Sequence, residues 1–381
     1  MNFVLSEEHL RDQARYREFA EIELRPYVRQ MEEEEAAPPQ VLRRLKECGL
    51  LGIPLEKNWG GAGKDFLSAT LCMEELSKVS PAVAGILNVT TDVVSIALRT
   101  FGTDEQKEKY LKPLASGEKI GAFALTEPGA GSDAGGVKTA AVEDGGCYVL
   151  NGTKMFITNA GIADIFLIAA LTDIGEGKKK ISLFIVEKGM PGFRVGTHEK
   201  KMGIRASSTC ELILEDVKVP KANLLGTLGK GLKIALGGLD GGRVMIAAQA
   251  LGIAQGCIDC AVAYLKEHTE ETGFRIKSQT AQFKLADLQT RTDAARLLTY
   301  RAANLWDQGL PFGKEAAMAK LFASETANEV ARDCVQLMGY AGCSSEYPVE
   351  GLLRDAKITE IYEGTNEIQR QVIAGQMGLK V

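Results

Sequence analysis

Three glutamates lie close together near the end of the chain, in the stretch ITEIYEGTNEIQR. They are Glu360, Glu363 and Glu367, and a Gly-Thr step directly follows Glu363. Carboxylates of this kind can act as general acids or bases. Surface helices often contain the same charges without any chemical role. The residue types alone leave open whether one of the three does chemistry.

The chain offers few other groups for acid–base or metal chemistry. Its only histidines are His9, His198 and His268, so neither a Ser-His-Asp triad nor a histidine-rich metal site is expected. The eight cysteines are scattered, as in a reduced cytosolic protein, and Cys257 and Cys260 form a lone CxxC within a helical pattern. No second pair accompanies them. We therefore predict no metal site, and any acid–base work falls to carboxylates.

The stretch ALTEPGAGSD, residues 124–133, is a candidate ligand loop. A predicted strand ends there in a turn, and Gly129 and Gly131 would let backbone N–H groups approach a ligand closely. Thr126 and Ser132 add hydroxyl groups. The stretch is not a GxGxxG dinucleotide motif, because residue 134 is not glycine and no βαβ pattern surrounds it. A plain β-turn is the alternative.

A second candidate is KMFITN, residues 154–159. On a strand, Phe156 and Thr158 point to the same face. An aromatic ring beside a hydroxyl suits a flat heterocycle with a hydrogen-bonding edge. The alternative is a core phenylalanine beside a surface threonine.

The elements that must position these stretches follow the order helical, β, helical. Helical periodicity covers most of residues 6–116, and long amphipathic helices return from about 226 to 376. Between them, short β-rich runs alternate with turns and not with helices, which predicts an antiparallel barrel or sandwich. We predict three domains: residues 1–118, 119–224 and 225–381.

Charge and hydropathy exclude several kinds of partner. The net charge of −5 and the pI of about 5.6 argue against a nucleic-acid binder. The acidic N-terminus lacks the features of a signal peptide, and no apolar run approaches the ~18 residues of a membrane span. The longest such run, from Pro81 to Leu98, is interrupted by polar residues. We expect a cytoplasmic protein without a membrane partner.

Eight motifs, taken together, point to a family. In chain order they are LTEPGAGSD, NGTKMFITN, KMGIRASST, DGGR with AAQALGIAQ, QFKLAD, EYPVE, RDAKI and IYEGTNEIQR. The set resembles the acyl-CoA dehydrogenase family over essentially the whole chain, and within it the bacterial short-chain, butyryl-CoA type enzymes. The resemblance implies an α+β multidomain fold with an N-terminal helical domain, a central antiparallel β-barrel-like domain and a C-terminal four-helix bundle.

The resemblance also implies an activity, in which two hydrogens leave Cα and Cβ of an acyl-CoA thioester and FAD accepts the hydride at N5. It assigns Glu363 as the base that takes the α-proton. The glycine after Glu363 and the loop position let the carboxylate reach a cleft, where burial would raise its pKa. The Glu363 backbone N–H and the ribityl 2′-hydroxyl of FAD are implied to bind the thioester oxygen.

The remaining site residues come from the same resemblance. The implied cofactor-binding residues are Phe123, Leu125, Thr126, Gly131, Ser132, Phe156, Thr158, Gln336, Thr365 and Glu367, with Gln336 reaching FAD from a neighbouring subunit. The implied substrate-binding residues are Ser132, Asp240, Arg243, Tyr362, Gly364 and Asp92. The implied partners are the acyl-CoA substrate, an electron-transferring flavoprotein as acceptor, and further copies of the chain in a homotetramer arranged as a dimer of dimers.

Two departures from the family pattern fall on the ADP half of the expected FAD site. His268 and Glu271 stand where the family has arginine and phenylalanine, and a pyrophosphate prefers a permanent cation with paired donors. Arg275 offers a substitute cation. Tyr340 replaces a glycine, where it would clash with the cofactor or stack on adenine. These departures raise a second hypothesis, an acyl-CoA-binding relative with impaired flavin binding.

Asp92 is the other unusual residue, because it lies in an otherwise apolar predicted helix. A buried aspartate needs a partner or a neutral state. We expect a structural aspartate that bonds a backbone group or a neighbouring threonine. The alternative is a dehydrogenase of a cyclic or otherwise unusual acyl-CoA in which Asp92 shapes the pocket or acts as a second base. An acyl-CoA oxidase, which passes electrons to oxygen, is a third reading of the chain.

Overall fold

The computed structural model describes residues 4–268 and 278–379. Its first part is helical, as the periodicity predicts. The helices are α1 (Glu7–Phe19), α2 (Val28–Glu34), α3 (Pro39–Glu47), α4 (Phe66–Ser77), α5 (Pro81–Asn88), α6 (Ser95–Phe101), α7 (Asp104–Gln106) and α8 (Lys112–Ala115). Side chains cap several of them, since Ser6 accepts a hydrogen bond from the His9 backbone and Asp65 from the Ser68 backbone. A π-helical segment, Val89–Val94, joins α5 to α6 and contains Asp92.

The central part is one sheet of eight strands among the described residues. The strands are β1 (Gly121–Ala124), β2 (Ala140–Asp144), β3 (Cys147–Thr158), β4 (Ile165–Asp173), β5 (Lys179–Glu187), β6 (Phe193–His198), β7 (Thr209–Pro220) and β8 (Leu224–Leu225). Their order is β6-β7-β3-β2-β4-β5-β8, and β1 pairs with β4.

The predicted fold class is confirmed, with two differences in the sheet. The sheet is not closed into a barrel, and it is not wholly antiparallel, because β1 and β2 both run parallel to β4. A long loop separates β1 from β2. In the sheet β1 pairs instead with β4, a strand that is distant from it in sequence. Alternation of apolar residues reports which face of a strand is buried but does not report its partner.

Long helices form the last part of the chain. They are α9 (Gly231–Glu267), α10 (Gln279–Asp307) and α11 (Gly313–Met338), followed by the shorter α12 (Val349–Ile358) and α13 (Asn366–Gln376). Small buried residues such as Ala247, Ala250 and Ala327 let α9, α10 and α11 pack closely, and α4 completes this core from the N-terminal part.

Two helical stretches, Pro81–Phe101 and Gly231–Glu267, are long and apolar enough to cross a membrane by length and composition. A count of uninterrupted apolar runs in the sequence predicts no such stretch, because polar residues interrupt these helices. In the structure 94% and 83% of their apolar windows are buried inside the protein. Such burial is typical of core helices, which pass the same test.

Candidate active site

Glu363 lies in the short connection between α12 and α13. Its backbone has a φ of 53°, and Gly364 after it has a φ of 88°. Two successive residues in the left-handed region make a sharp turn that glycine tolerates without cost and glutamate does not. Thr365 then caps α13 by accepting a hydrogen bond from the Ile368 backbone. Glu363 thus lies at a sharp turn between α12 and α13.

Buried side chains of α11 and α13 donate hydrogen bonds to the main chain of this turn. The Nζ atom of Lys320, on α11, donates to the Gly364 carbonyl at 2.8 Å and to Asn366 Oδ1 at 2.9 Å. Gln369 Nε2 donates to the carbonyls of Gly364 at 2.9 Å and Glu363 at 3.3 Å. Lys320 is fully buried, and its burial lowers its pKa to about 8. The position of Glu363 is therefore fixed through its main chain.

The Glu363 carboxylate lies against α9 at Gly242. A methyl group on Gly242 would come within 2.9 Å of Oε2, so the absence of a side chain there makes the room. Oε2 is enclosed and has no hydrogen-bond partner among the described residues. Burial raises the pKa of Glu363 to about 7, against the opposing charges of Arg243 and Lys320. An unpaired carboxylate with such a pKa is suited to act as a base near neutral pH.

Most of the predicted site residues meet Glu363 in one cavity of about 220 Å³. They come from β1, the loop after it, the end of β3, α9 and the turn before α13. The predicted residues that line it are Phe123, Leu125, Thr126, Gly131, Ser132, Phe156, Thr158, Arg243, Tyr362 and Gly364. Motifs that lie far apart in sequence thus form one site with Glu363 at its wall.

A buried ion pair positions the loop at 125–133 against β3. Lys154 Nζ donates to Glu127 Oε1 at 2.7 Å and to the Leu125 carbonyl at 3.1 Å. The Met155 backbone donates to the Thr126 carbonyl at 2.9 Å, which ties the two candidate stretches together. The backbones of Lys138 and Thr139 donate to the same Glu127 carboxylate. This pairing compensates the cost of burying Lys154.

Phe156 and Thr158 share the cavity, as the strand pattern predicts, although β3 is irregular between Lys154 and Ile157. Phe156 has a φ of 57°, and the residue is 59% exposed. An exposed ring in a strained position beside hydroxyl groups is what a flat heterocycle would cover. With the Thr126 and Thr158 hydroxyls at its edge, the cavity fits an isoalloxazine ring.

Five predicted residues do not line this cavity. They are Gln336, Thr365, Glu367, Asp240 and Asp92. Gln336 and Glu367 are exposed, on α11 and in the first turn of α13, and Thr365 caps α13. Asp240 accepts a hydrogen bond from Arg243, one turn later on α9.

The family departures that the structure describes, Tyr340 and His268, lie outside the cavity. Tyr340 follows α11 and is 88% exposed, so it clashes with no residue in the described part of this chain. His268 ends α9 and stacks on Tyr264, with their ring centroids 4.4 Å apart. Glu271 and Arg275 lie outside the described residues.

The expectation that Asp92 bonds a backbone group or a threonine is wrong. Asp92 is 1% exposed, and neither carboxyl oxygen has a hydrogen-bond partner within residues 4–268 and 278–379. The neighbouring hydroxyls are engaged elsewhere: Thr91 donates to the Leu51 carbonyl, and Thr90 Oγ1 accepts from the Gly121 backbone. Burial, and then the charge of Glu363, raise the pKa of Asp92 well above its usual value.

Sequence reasoning missed the apolar wall of the cavity. Val89 and Val93, on the π-helical segment, and Leu236 and Leu239, on α9, line it. Apolar residues in apolar helices give no signal that distinguishes a cavity wall from a packed core. A larger cavity of about 820 Å³ lies between α1, α4 and α9 and contains none of the predicted site residues.

Comparison with known proteins gives one family over nearly the whole chain. Residues 6–118, 122–217 and 229–378 match the models for the acyl-CoA dehydrogenase N-terminal, middle and C-terminal domains. The short-chain specific acyl-CoA dehydrogenase of Clostridium acetobutylicum is 48% identical over 377 residues, covering 99% of this chain and 100% of that protein.

Two solved structures have the same fold as this chain. Butyryl-CoA dehydrogenase from Megasphaera elsdenii has a TM-score of 0.95 and 44% identity, and the match covers 99% of this chain and 100% of that one. A chain from a structure described as the electron transferring flavoprotein of Acidaminococcus fermentans has a TM-score of 0.96 and 47% identity, with 99% of both chains covered.

Proposed function

The chain belongs to the acyl-CoA dehydrogenase family, and from that premise we propose that Glu363 is the base of an FAD-dependent dehydrogenation of a short-chain acyl-CoA. Acyl-CoA dehydrogenation with FAD is the activity of the family, and close relatives are specific for short chains. The observation that supports the role of Glu363 is its enclosed Oε2 atom, which has no hydrogen-bond partner among the described residues and belongs to the wall of the cavity where the motifs converge.

The proton chemistry rests on this carboxylate. The α-carbon of a thioester is a weak acid, so its base needs a pKa that is raised but not so far that it stays protonated. Burial gives Glu363 a pKa of about 7, and the charges of Arg243 and Lys320 limit the rise. The backbone N–H of Glu363 would donate to the thioester oxygen and stabilise the developing enolate.

The cofactor pocket would be formed by the cavity residues that suit a flat ring. FAD, when bound, supplies the acceptor for the β-hydride. Phe123, Leu125 and Phe156 would pack on its ring, and the hydroxyls of Thr126 and Thr158 would hydrogen-bond its polar edge. Gly131 and Ser132 would approach it through the loop held by the Lys154–Glu127 pair. Thr365 and Glu367, at the start of α13, would face its adenosine half.

The remaining predicted residues are proposed to bind the CoA thioester. Ser132 and Arg243 line the cavity, and Asp240 holds Arg243 in place. Tyr362 donates a hydrogen bond to Gln249 on α9, which anchors the residue before the base. Gly364 lets the thioester approach the main chain closely. An acyl group would extend between the apolar side chains of the π-helical segment and α9.

We also propose the partners of the reaction. The likeness to a chain from an electron transferring flavoprotein structure supports an electron-transferring flavoprotein as acceptor. Gln336 and Tyr340 are exposed near the end of α11, where a neighbouring subunit could use them at its own FAD. Their exposure is consistent with a subunit interface, and we propose the homotetramer, arranged as a dimer of dimers, that the family resemblance implies. The bacterial relatives support a cytoplasmic location.

Bleaching of the flavin tests the proposal. We expect the purified protein to be yellow and to lose its absorbance near 450 nm when butyryl-CoA is added without oxygen, as expected for a flavin that accepts a hydride. Hexanoyl-CoA and octanoyl-CoA should bleach it progressively more slowly. A yellow protein that no acyl-CoA bleaches would contradict the activity, and a colourless protein that still binds acyl-CoA would favour the flavin-impaired alternative. Release of peroxide in air would indicate an oxidase.

A further inference from the structure

Asn159 is a fully buried polar residue that directly follows β3 and has no part in the proposed mechanism. Its Nδ2 atom donates to the Ile86 carbonyl at 3.1 Å and to the Gly121 carbonyl at 3.0 Å. The same atom donates to Thr90 Oγ1 at 3.3 Å. One amide group therefore joins the end of β3 to α5, to β1 and to the π-helical segment that follows α5.

The chemistry of these acceptors fixes which way the Asn159 amide points. Two of the three are main-chain carbonyl oxygens, which cannot donate, so only the NH₂ end of the amide can face them. Asn159 Oδ1 is buried and has no hydrogen-bond partner among the described residues. A buried polar atom without a partner is costly, and an apolar side chain would avoid that cost. What the amide contributes is thus its contact with the three segments.

The segments that Asn159 joins form separate walls of the cavity. Val89 and Val93 belong to the π-helical segment, and they line the part proposed for the acyl group. Phe123 of β1 and Thr158 of β3 line the part proposed for the flavin. Asn159 itself does not line the cavity. It spans the distance between the wall that an acyl chain would meet and the wall that the flavin ring would meet.

The π-helical segment packs closely on β1 around this amide. Thr90 Oγ1 accepts a second hydrogen bond from the Gly121 backbone at 3.3 Å. A methyl group on Gly121 would come within 3.0 Å of Val94, so glycine lets the strand approach the segment. π-helical turns of this kind are frequent at functional sites.

A different hydrogen bond holds the same segment to the N-terminal part of the chain. Thr91 Oγ1 donates to the Leu51 carbonyl at 2.9 Å. If the bonds of Asn159 were lost, this bond would remain and would hold the segment toward Leu51 instead of toward the sheet. The valines that line the cavity could then move away from the sheet.

We propose that Asn159 is a positioning residue for acyl-chain length: it holds the π-helical segment against the sheet, so that Val89 and Val93 close the cavity on a short chain. The inference rests on the proposed function, because it takes this cavity to hold the acyl group of a thioester. Asn159 acts through the two valines, which would touch the acyl chain. Release of the segment should lengthen the space that the chain can occupy.

Asn159→Gly tests the role of the side chain without straining the backbone, because glycine adopts the φ of 67° found here without cost. We expect the ratio of kcat/KM for octanoyl-CoA to that for butyryl-CoA to rise at least about tenfold over the wild type. One methylene in an apolar pocket is worth about 10–200-fold, so a modest gain in room has an effect of this size. Flavin bleaching of the holoenzyme without oxygen gives the rates. The change should appear mainly in KM, because Glu363 and its turn are untouched.

The two threonines of the segment provide matched variants. Thr90→Val removes an acceptor of the Asn159 amide and should raise the octanoyl-to-butyryl ratio in the same direction. Thr90→Ser keeps the hydroxyl and should keep the wild-type ratio. Thr91→Val removes the bond to the Leu51 carbonyl and should lower the melting temperature without raising the ratio.

The outcomes separate a positioning role from a merely structural one. A lower melting temperature with an unchanged ratio in Asn159→Gly and Thr90→Val would overturn the inference and leave the dehydrogenase activity standing. If Asn159→Gly does not fold, the comparison of Thr90→Val with Thr90→Ser decides: equal ratios in the two would overturn the inference.

Binding measured without turnover separates the inference from the function on which it rests. Calorimetric titration of Glu363→Gln and of Glu363→Gln/Asn159→Gly with the two thioesters gives their dissociation constants. The Asn159 change should shift the ratio of these constants in favour of octanoyl-CoA, and an unshifted ratio would overturn the inference. A wild-type flavin that no thioester bleaches would contradict the proposed function, and the ratio of dissociation constants would still decide the role of Asn159.

Discussion

Replacing Lys320 by methionine would separate the mechanical and the electrostatic support of Glu363. Lys320 Nζ holds the Gly364 carbonyl and Asn366 Oδ1. In the variant each acceptor keeps another donor, Gln369 Nε2 at 2.9 Å and Ser324 Oγ at 3.1 Å. The loss of stability should therefore be modest, about 1–3 kcal/mol, and the turn should keep its shape.

The larger effect of this change should fall on the pKa of Glu363. Lys320 Nζ bonds the carbonyl of the next residue, so it lies within roughly 10 Å of the carboxylate. Two unit charges at roughly 10 Å interact by about 1.7 kcal/mol at an effective dielectric constant of about 20. This corresponds to about one pKa unit. Loss of the positive charge removes a stabiliser of the ionised form, so the pKa of Glu363 should rise from about 7.

The pH dependence of kcat/KM measures this effect in the free enzyme. The base is active when ionised, so the rate rises with pH through the pKa, and in Lys320→Met the rise should move about one unit to higher pH. Lys320→Arg keeps the charge and should leave the profile in place. Lys314→Met, near the start of the same helix, is the matched control. A Lys320→Met profile that is active but unshifted, or shifted to lower pH, would refute the electrostatic reasoning.

Three further changes test other parts of the account. Burial raises the pKa of Glu363 from 4.5 to about 7, so the contribution of Glu363 to the free energy of unfolding falls as the pH rises between these values. Glu363→Gln should therefore raise the free energy of unfolding by about 3 kcal/mol above pH 7 and by almost nothing near pH 4.5. Melting curves at several pH values would detect this difference. Gly242→Ala should push the Glu363 carboxylate aside and slow the reduction of the flavin. Gly238→Ala is the control and should not slow it, because open space surrounds Gly238. Equal rates of flavin reduction in the two variants would argue against the placement of Glu363. Lys154→Met leaves Glu127 buried without its ion partner and should release FAD during gel filtration, a result that retention of full flavin content would contradict.

The sequence predicts the motifs of the site better than the groups that support them. Residue types alone left Glu363, Thr126 and Phe156 open, and the family resemblance of their motifs assigned them to a site; in the structure they line one cavity. Lys320 and Lys154 have no such signal, because a buried lysine looks in sequence like any surface lysine until its partners are known.

Asp92 and the sheet show a second limit of sequence reasoning. The two threonines beside Asp92 made an internal hydrogen bond the natural expectation, yet both hydroxyls bond groups that are distant in sequence. In the sheet, the alternation of apolar residues identified strands but not the parallel pairing of β1 with β4. In both cases the outcome depends on contacts between distant segments, which local pattern does not report.

The central claim is that Glu363 takes the α-proton, and single-turnover flavin reduction tests it most directly. Glu363→Gln, loaded with FAD and mixed with butyryl-CoA without oxygen, should be reduced at least about 100-fold more slowly than the wild type, because general-base catalysis contributes about 10²–10⁴-fold. Glu360→Gln, in the same stretch and paired with Lys357, should react at close to the wild-type rate. A Glu363→Gln protein that binds FAD and is reduced as fast as the wild type would contradict the claim.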